Sequence, residues 1–269
     1  MLDKKNLLIL FLFTITYIII SSNIAIFAEE KKTRRIESSL SYEHLSPNQI
    51  YGDWKTINLS YFSKPYIGFT YLLQGSFYNR QEDEGLTGTI GAYKDWNSSL
   101  YTYSSVTLGS NTPYLPEFRV DHDFNLKLGA KKKLILTIGA NYIEYFNEHS
   151  DLIISGGPTY YLGKWIFQYR YFHNQSDPGS VNSHSQLISM GYGEEGLQWT
   201  WLSYSFGNQA YLASYLVLPE EINRDSFEFT LKHRRWLGKN YGVFASSSYF
   251  ELDEGYDKIG FGLGFFYEF

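Results

Sequence analysis

Two short stretches of this chain set proton-transfer groups side by side: Asp121-His122-Asp123 and Ser183-His184-Ser185. Either could serve hydrolysis near the rim of a small barrel, with histidine as base and a neighbouring acid or hydroxyl as its partner. The sequence around them argues otherwise. Both lie where apolar and polar residues alternate, and successive side chains of a strand point to opposite faces. His122 then turns away from Asp121 and Asp123, and His184 from both serines. His44, His149, His173 and His233 have no better company in the sequence, and there is no HExxH or closely spaced metal-ligand set. No catalytic residue, metal or cofactor is expected.

Charges spaced two apart suggest a different chemistry. In FRVDHDFNLKLG, Arg119, Asp121, Asp123, Asn125 and Lys127 share one face, while Phe118, Val120, Phe124, Leu126 and Leu128 share the other. SFEFTLKHRRW sets Glu228, Thr230, Lys232 and Arg234 against Phe227, Phe229 and Leu231, and KWIFQYRYF sets Gln168 and Arg170 against Trp165, Phe167, Tyr169 and Tyr171. Glu43 and Glu144 join the polar set near strand ends. A wall of mixed charge and tyrosine could hold a hydroxyl-rich chain weakly enough for it to slide, with bidentate arginine contacts adding direction. The plainer reading is that these charges pair across a narrow interior and hold its shape, since interior charges persist mainly when paired or hydrated.

The elements that carry them are strands. In the closing stretch DKIGFGLGFFYEF, Ile259, Phe261, Leu263, Phe265, Tyr267 and Phe269 fall on one face, against Lys258, three glycines and Glu268; Phe266 breaks the rule. KTINLSYF repeats the pattern with Ile57, Leu59 and Tyr61. Such a face meets either a second sheet or, in a barrel, lipid. Fourteen strands are predicted at 36–46, 53–62, 66–80, 85–96, 99–109, 118–129, 133–146, 150–161, 164–173, 183–193, 197–206, 226–236, 241–251 and 257–269. Twelve or sixteen stay open, because 207–225 could hide a hairpin. Short connections (63–65, 96–99, 130–133, 162–164, 194–196, 237–240) alternate with longer ones (47–52, 80–85, 110–117, 147–150, 174–182, 207–225, 252–256). Outer-membrane barrels show that alternation, with short periplasmic turns and longer external loops. The reading is an all-β, antiparallel, up-and-down transmembrane β-barrel.

The remaining signals agree. Residues 1–28 have a basic start, an apolar run from Leu7 to Ile20 and Ala28 before a charged stretch, the layout of a cleavable signal peptide; an uncut anchor is the alternative. A short periplasmic segment (29–35) and a barrel (36–269) would follow, located in the bacterial outer membrane. There is no cysteine. Cleavage would remove two lysines and one aspartate, taking the net charge from −5 to −6, which is no footprint for nucleic acid. Longer connections carry Glu82, Asp83, Glu84, Glu220, Glu221, Asp253 and Glu254, whereas short turns carry Lys64, Lys131, Lys132, Lys133, Lys164 and Lys239, with Glu194 and Glu195 against the trend. Acidic outer loops would favour a cationic or neutral glycan over an anionic one. Trp96, Trp165, Trp199, Trp201 and Trp236 lie near short turns, where a membrane-interface girdle is expected. Phe265, Tyr267 and Phe269 look like the C-terminal signal by which barrels are recognised for insertion. The partners expected are outer-membrane lipid and lipopolysaccharide, the barrel-assembly machinery through the last strand, and a polysaccharide.

FRVDHDFNLKLG, GGPTYYLGKWIFQYRYF and SHSQLISMGYG, in this order, resemble the YaiO-like outer-membrane β-barrel family. The likeness runs over about 36–269 and is clearest at Gly156, Gly157, Tyr160, Tyr161, Gly163, Trp165, Tyr169 and Arg170. It implies a barrel linked to surface polysaccharide: a pore or accessory channel for its export or modification, or else a non-conducting structural or adhesive barrel.

Overall fold

A computed structural model describes residues 33–209 and 224–269. The proposed signal peptide, residues Glu220 and Glu221, and nearly all of the segment suspected of hiding a hairpin lie outside them. The strands are β1 (Arg34–Ser46), β2 (Asp53–Tyr66), β3 (Phe69–Asn79), β4 (Glu84–Asp95), β5 (Leu100–Gly109), β6 (Pro116–Leu128) and β7 (Leu134–Tyr145). Then come β8 (Ser150–Leu162), β9 (Trp165–Asp177), β10 (Val181–Glu194), β11 (Gln198–Gln209), β12 (Arg224–Trp236), β13 (Tyr241–Leu252) and β14 (Asp257–Glu268). One helical turn, α1 (Asn48–Tyr51), joins β1 to β2. Every strand pairs antiparallel with its neighbours in sequence, and β14 returns to β1 to close the ring. At the seam Arg34 and Phe269 exchange backbone hydrogen bonds of 3.1 and 3.0 Å. No free sheet edge is left among the described strands.

Each strand has ten to fourteen residues, at least the 9–11 or so that a tilted strand needs to cross a bilayer. Cross-strand register keeps facing constant around the ring, so the alternation in sequence becomes two continuous surfaces. The outer one is apolar. Nearly all the large apolar side chains that stay exposed lie on it, save those in connections and Tyr93 and Tyr161. The most exposed of these on strands, Leu263 (69%), Ile138 (67%) and Ile90 (67%), sit at the middles of β14, β7 and β4. A soluble protein does not leave such residues bare in a continuous belt, whereas hydrocarbon around a barrel covers them. The inner surface is identified by contacts between strands that are not neighbours, which only a concave wall allows.

Connections at both rims differ from the pattern in the sequence. The Lys64-Pro65 pair, expected in a turn, belongs to the end of β2, where pairing with β3 is irregular between Ser63 and Tyr66. Proline has no N–H to give a ladder and is tolerated at such an irregularity. The turn comes two residues later, at Ile67-Gly68, where Gly68 supplies a φ of +82°. At the other rim, several connections are shorter than expected because the strands run further: residues 178–180 join β9 to β10, and 253–256 join β13 to β14. The asymmetry rests mainly on 47–52, 110–115 and 210–223. β1 begins at Arg34, which takes the last two residues of the segment expected to precede the barrel.

Candidate functional site: the barrel interior

The charged residues proposed for the interior face inward: Arg119, Asp121, Asp123 and Lys127 on β6, Arg170 on β9, and Glu228, Lys232 and Arg234 on β12. Glu43 on β1 joins them. Glu144 does not; it pairs with Phe118 and Ser150 and shares their outer face at the loop rim. Parity of the strand decides this, and proximity to a strand end says nothing about it.

Most inward charges are paired, but along the wall and not across the interior. The Arg170 guanidinium donates to both oxygens of Asp123, at 3.1 and 2.5 Å, and to Ser155 at 2.7 Å. That contact reaches from β9 to β6, three strands round the ring. Gly139, between them on β7, makes it possible: a Cβ there would overlap Asp123 and Arg170. Arg234 likewise reaches from β12 to Glu37 on β1 (2.7 Å), and Glu37 also binds Arg35 (2.7 Å). Arg119 binds Asp121 at 2.8 Å, and Asp121 further accepts from Ser105 and Asn141. Lys127 meets Asp95 at 3.5 Å and Lys258 meets Glu43 at 2.9 Å. Glu228 and Lys232 are the exceptions: among the described residues neither has an ion pair or side-chain hydrogen bond, and the Lys232 ammonium sits 5.4 Å from the Phe244 ring centre. An eight-stranded barrel can be filled by side chains, but sixteen strands leave a channel. This barrel has fourteen strands, its pairs run along the wall, and among the described residues Tyr93 and Tyr161 remain 44% and 39% exposed while pointing into the interior.

At the loop rim the interior narrows. Leu45, Trp54, Phe250, Leu252 and Tyr256 form the barrel's one buried apolar cluster among the described residues, with Tyr51 against it. Arg80 lies between Trp54 (3.8 Å) and Tyr114 (4.1 Å). Tyr114 belongs to the β5–β6 connection, which folds inward: Leu115 lies where a Cβ on Gly85 would be, and the Tyr114 hydroxyl donates to the Asp83 carbonyl at 2.8 Å. Burial pushes the Tyr114 phenol up to about 12, so it stays neutral and this packing does not titrate near neutral pH. Trp54→Ala is expected to widen the mouth and enlarge the unitary current of protein in planar bilayers. An unchanged current would place the cluster off the ion path.

The tryptophan girdle needs correction. Trp96 and Trp165 face outward near the short turns, and the Trp96 indole N–H donates to Thr102 at 3.0 Å. Trp199, Trp201 and Trp236 face inward. Trp199 and Trp201 stack at 6.0 Å; Trp236 is buried against Phe266 (5.0 Å) and donates to Glu268 at 3.1 Å. Phe266, the residue that broke the alternation, is fully buried in that inward cluster. Phe265, Tyr267 and Phe269 all face outward.

Two histidines bond a hydroxyl, but on the outward surface and, among the described residues, with no carboxylate beside them there. His122 faces outward and bonds Ser104 (2.8 Å), His233 bonds Thr200 (2.9 Å), and His44 bonds Asp53 (2.8 Å). His184 stands opposite His173, facing away from Ser183 and Ser185. One inward group went unread in the sequence: Asp151 lies 3.5 Å from His149 and accepts hydrogen bonds from Ser176 and Asn174. Its order is serine–acid–histidine, so the histidine does not take the serine proton that nucleophilic attack requires. Spacing of two puts His149 with Asp151 and Asn174 with Ser176, and strand register brings the two pairs together.

A family model described as the YaiO membrane beta barrel domain matches residues 33–212. Solved structures of similar shape include the CymD monoaromatic hydrocarbon channel, with a TM-score of 0.63, 8% identity and 89% of each chain covered. A bacterial polysaccharide outer membrane secretin aligns over 90% of this chain and 100% of its own, with a TM-score of 0.61 and 6% identity. Omp33 of Acinetobacter baumannii aligns over 89% and 100%, with a TM-score of 0.53 and 9% identity. At these identities the likeness is one of fold, that of a porin-like outer-membrane barrel.

Proposed function

The chain belongs to the YaiO membrane β-barrel domain family, and from that premise and its interior geometry we propose a channel for surface polysaccharide in the bacterial outer membrane, serving its export or modification. The observation that carries the channel is the placement of the ion pairs: Arg170–Asp123 and Arg234–Glu37 each join strands three apart on one side of the ring and not opposite walls. The polysaccharide part is supported by the resemblance of FRVDHDFNLKLG and GGPTYYLGKWIFQYRYF to this family, and by a fold shared with a protein described as a polysaccharide secretin. Glu228 and Lys232, the inward charges without a partner, act on what passes. Trp96 and Trp165 anchor the barrel at the periplasmic boundary, and Phe265, Tyr267 and Phe269 present the last strand to the assembly machinery.

Purified protein in planar bilayers should show discrete conductance steps. Lys232→Glu should shift reversal potentials toward cation selectivity, because a free inward cation becomes a free anion without breaking a pair. Arg119→Ala should have the smaller effect on selectivity, since it removes a paired charge. The packing around Arg80 and Trp54 favours a second reading, a barrel closed at its mouth. Silence in the wild type, with current appearing only in Trp54→Ala, would select it.

A further inference from the structure

We propose that the half of the barrel interior nearer the short turns holds a binding subsite for neutral oligosaccharide, built on four tyrosines and one tryptophan. This deepens the channel reading and rests on it for its route of access. The site is a cavity of about 400 Å³ bounded by Tyr93, Tyr101, Tyr103, Tyr161 and Trp201. That volume is within the roughly 300–1,000 Å³ of sites that hold small organic ligands, room for a short oligosaccharide but not for a folded chain.

Three observations select the ligand chemistry. The first is hydroxyl supply. Among the described residues none of these four tyrosine hydroxyls has a hydrogen-bond partner, whereas Tyr114, Tyr169 and Tyr249 all donate to protein oxygens. Each free phenol can both donate and accept, which suits a ligand dense in hydroxyl groups. The second is ring surface. Tyr93 and Tyr103 stand 4.6 Å apart with their planes tilted by 36°, and Trp201 lies on the facing part of the wall. Such rings offer apolar area to the C–H faces of a sugar while their polar tips reach its edges. The third is charge. The ionic groups bounding the cavity are Asp123 and Arg170, and they neutralise each other in the bidentate pair fixed by Ser155. An anionic sugar would have to compete with Asp123 for the guanidinium, and a cationic one with Arg170 for the carboxylate. An aromatic hydrocarbon would leave the hydroxyls without partners, which is costly once water is displaced.

Maltohexaose, oligogalacturonate of matched length and toluene serve as probes, each titrated against full-length protein in detergent by tryptophan fluorescence and against single channels in bilayers. Maltohexaose should quench or shift the emission and interrupt the current; the other two should do so at least tenfold more weakly. Tyr101→Phe and Tyr161→Phe each remove one hydroxyl and keep the ring, and each should weaken maltohexaose roughly three- to tenfold, the size of one neutral hydrogen bond. Heat-modifiable migration in gels checks that both variants still form barrels. Tighter binding of oligogalacturonate or toluene overturns the proposal, as does maltohexaose binding untouched by both substitutions. Maltohexaose bound in detergent by a barrel that carries no current would uphold the subsite while sinking the channel, so the two failures are separable.

Discussion

Leu263→Arg is expected to abolish stable insertion. Leu263 is 69% exposed at the centre of β14, and an arginine on the lipid face at the bilayer midplane costs about 2–4 kcal/mol in a barrel. Ile138→Arg, at the centre of β7, should behave alike, which separates a lipid effect from damage to the closing strand. Thr137→Arg is the control: its neighbour on the same strand, it points inward, where Thr137 already donates to Asn125 at 2.7 Å. Refolding into vesicles, read by heat-modifiable migration, should fail or need stronger stabilising conditions for the two outward arginines and proceed for the inward one. Equal tolerance of all three would mean that the apolar belt meets protein and not hydrocarbon.

Arg170→Ala should produce the second large effect, a loss of about 3 kcal/mol in unfolding free energy, the scale for breaking a mostly buried ion pair by removing one partner. The side chains concerned are only 16% and 19% exposed, and the substitution strands Asp123 with a full charge. Asp123→Asn in the Arg170→Ala background should restore much of the loss, because no unpaired carboxylate remains. Gly139→Val should mimic the single substitution without touching either charge, since any side chain there intrudes between Asp123 and Arg170. Guanidinium titration of protein refolded in detergent measures these three variants and Asp123→Asn alone. Full additivity of the two substitutions at 123 and 170 would show that the groups do not interact.

The strands were legible because lipid outside and water inside impose opposite chemistry on successive residues. FRVDHDFNLKLG and DKIGFGLGFFYEF show this cleanly, and the facing read from them holds residue by residue. Legibility fails where both faces of a strand are apolar. In QWTWLSYSF, Trp199 and Trp201 alternate with Leu202, Tyr204 and Phe206, so nearness to a turn could not say which row meets lipid. Phe266 looked like an irregularity and is the fully buried partner of Trp236. The interior site was legible as a set of charges but not as an arrangement. Which arginine meets which carboxylate depends on strands three apart and on the absent side chain of Gly139. The tyrosine cavity was hidden for the same reason, since β4, β5 and β8 contribute its rings and no local spacing links them.

The seam between Arg34 and Phe269 has a consequence for how the protein comes into being. β1 emerges first from synthesis and its permanent neighbour emerges last, so thirteen strands must exist before the ring can shut. Until then two unsatisfied ladders are open to any passing chain, the one on β14 rich in phenylalanine. The loop that closes them is as long as the barrel itself, which makes spontaneous joining slow. The longer that closure waits, the longer the chain presents these edges, so the time to closure governs how far it is exposed to aggregation.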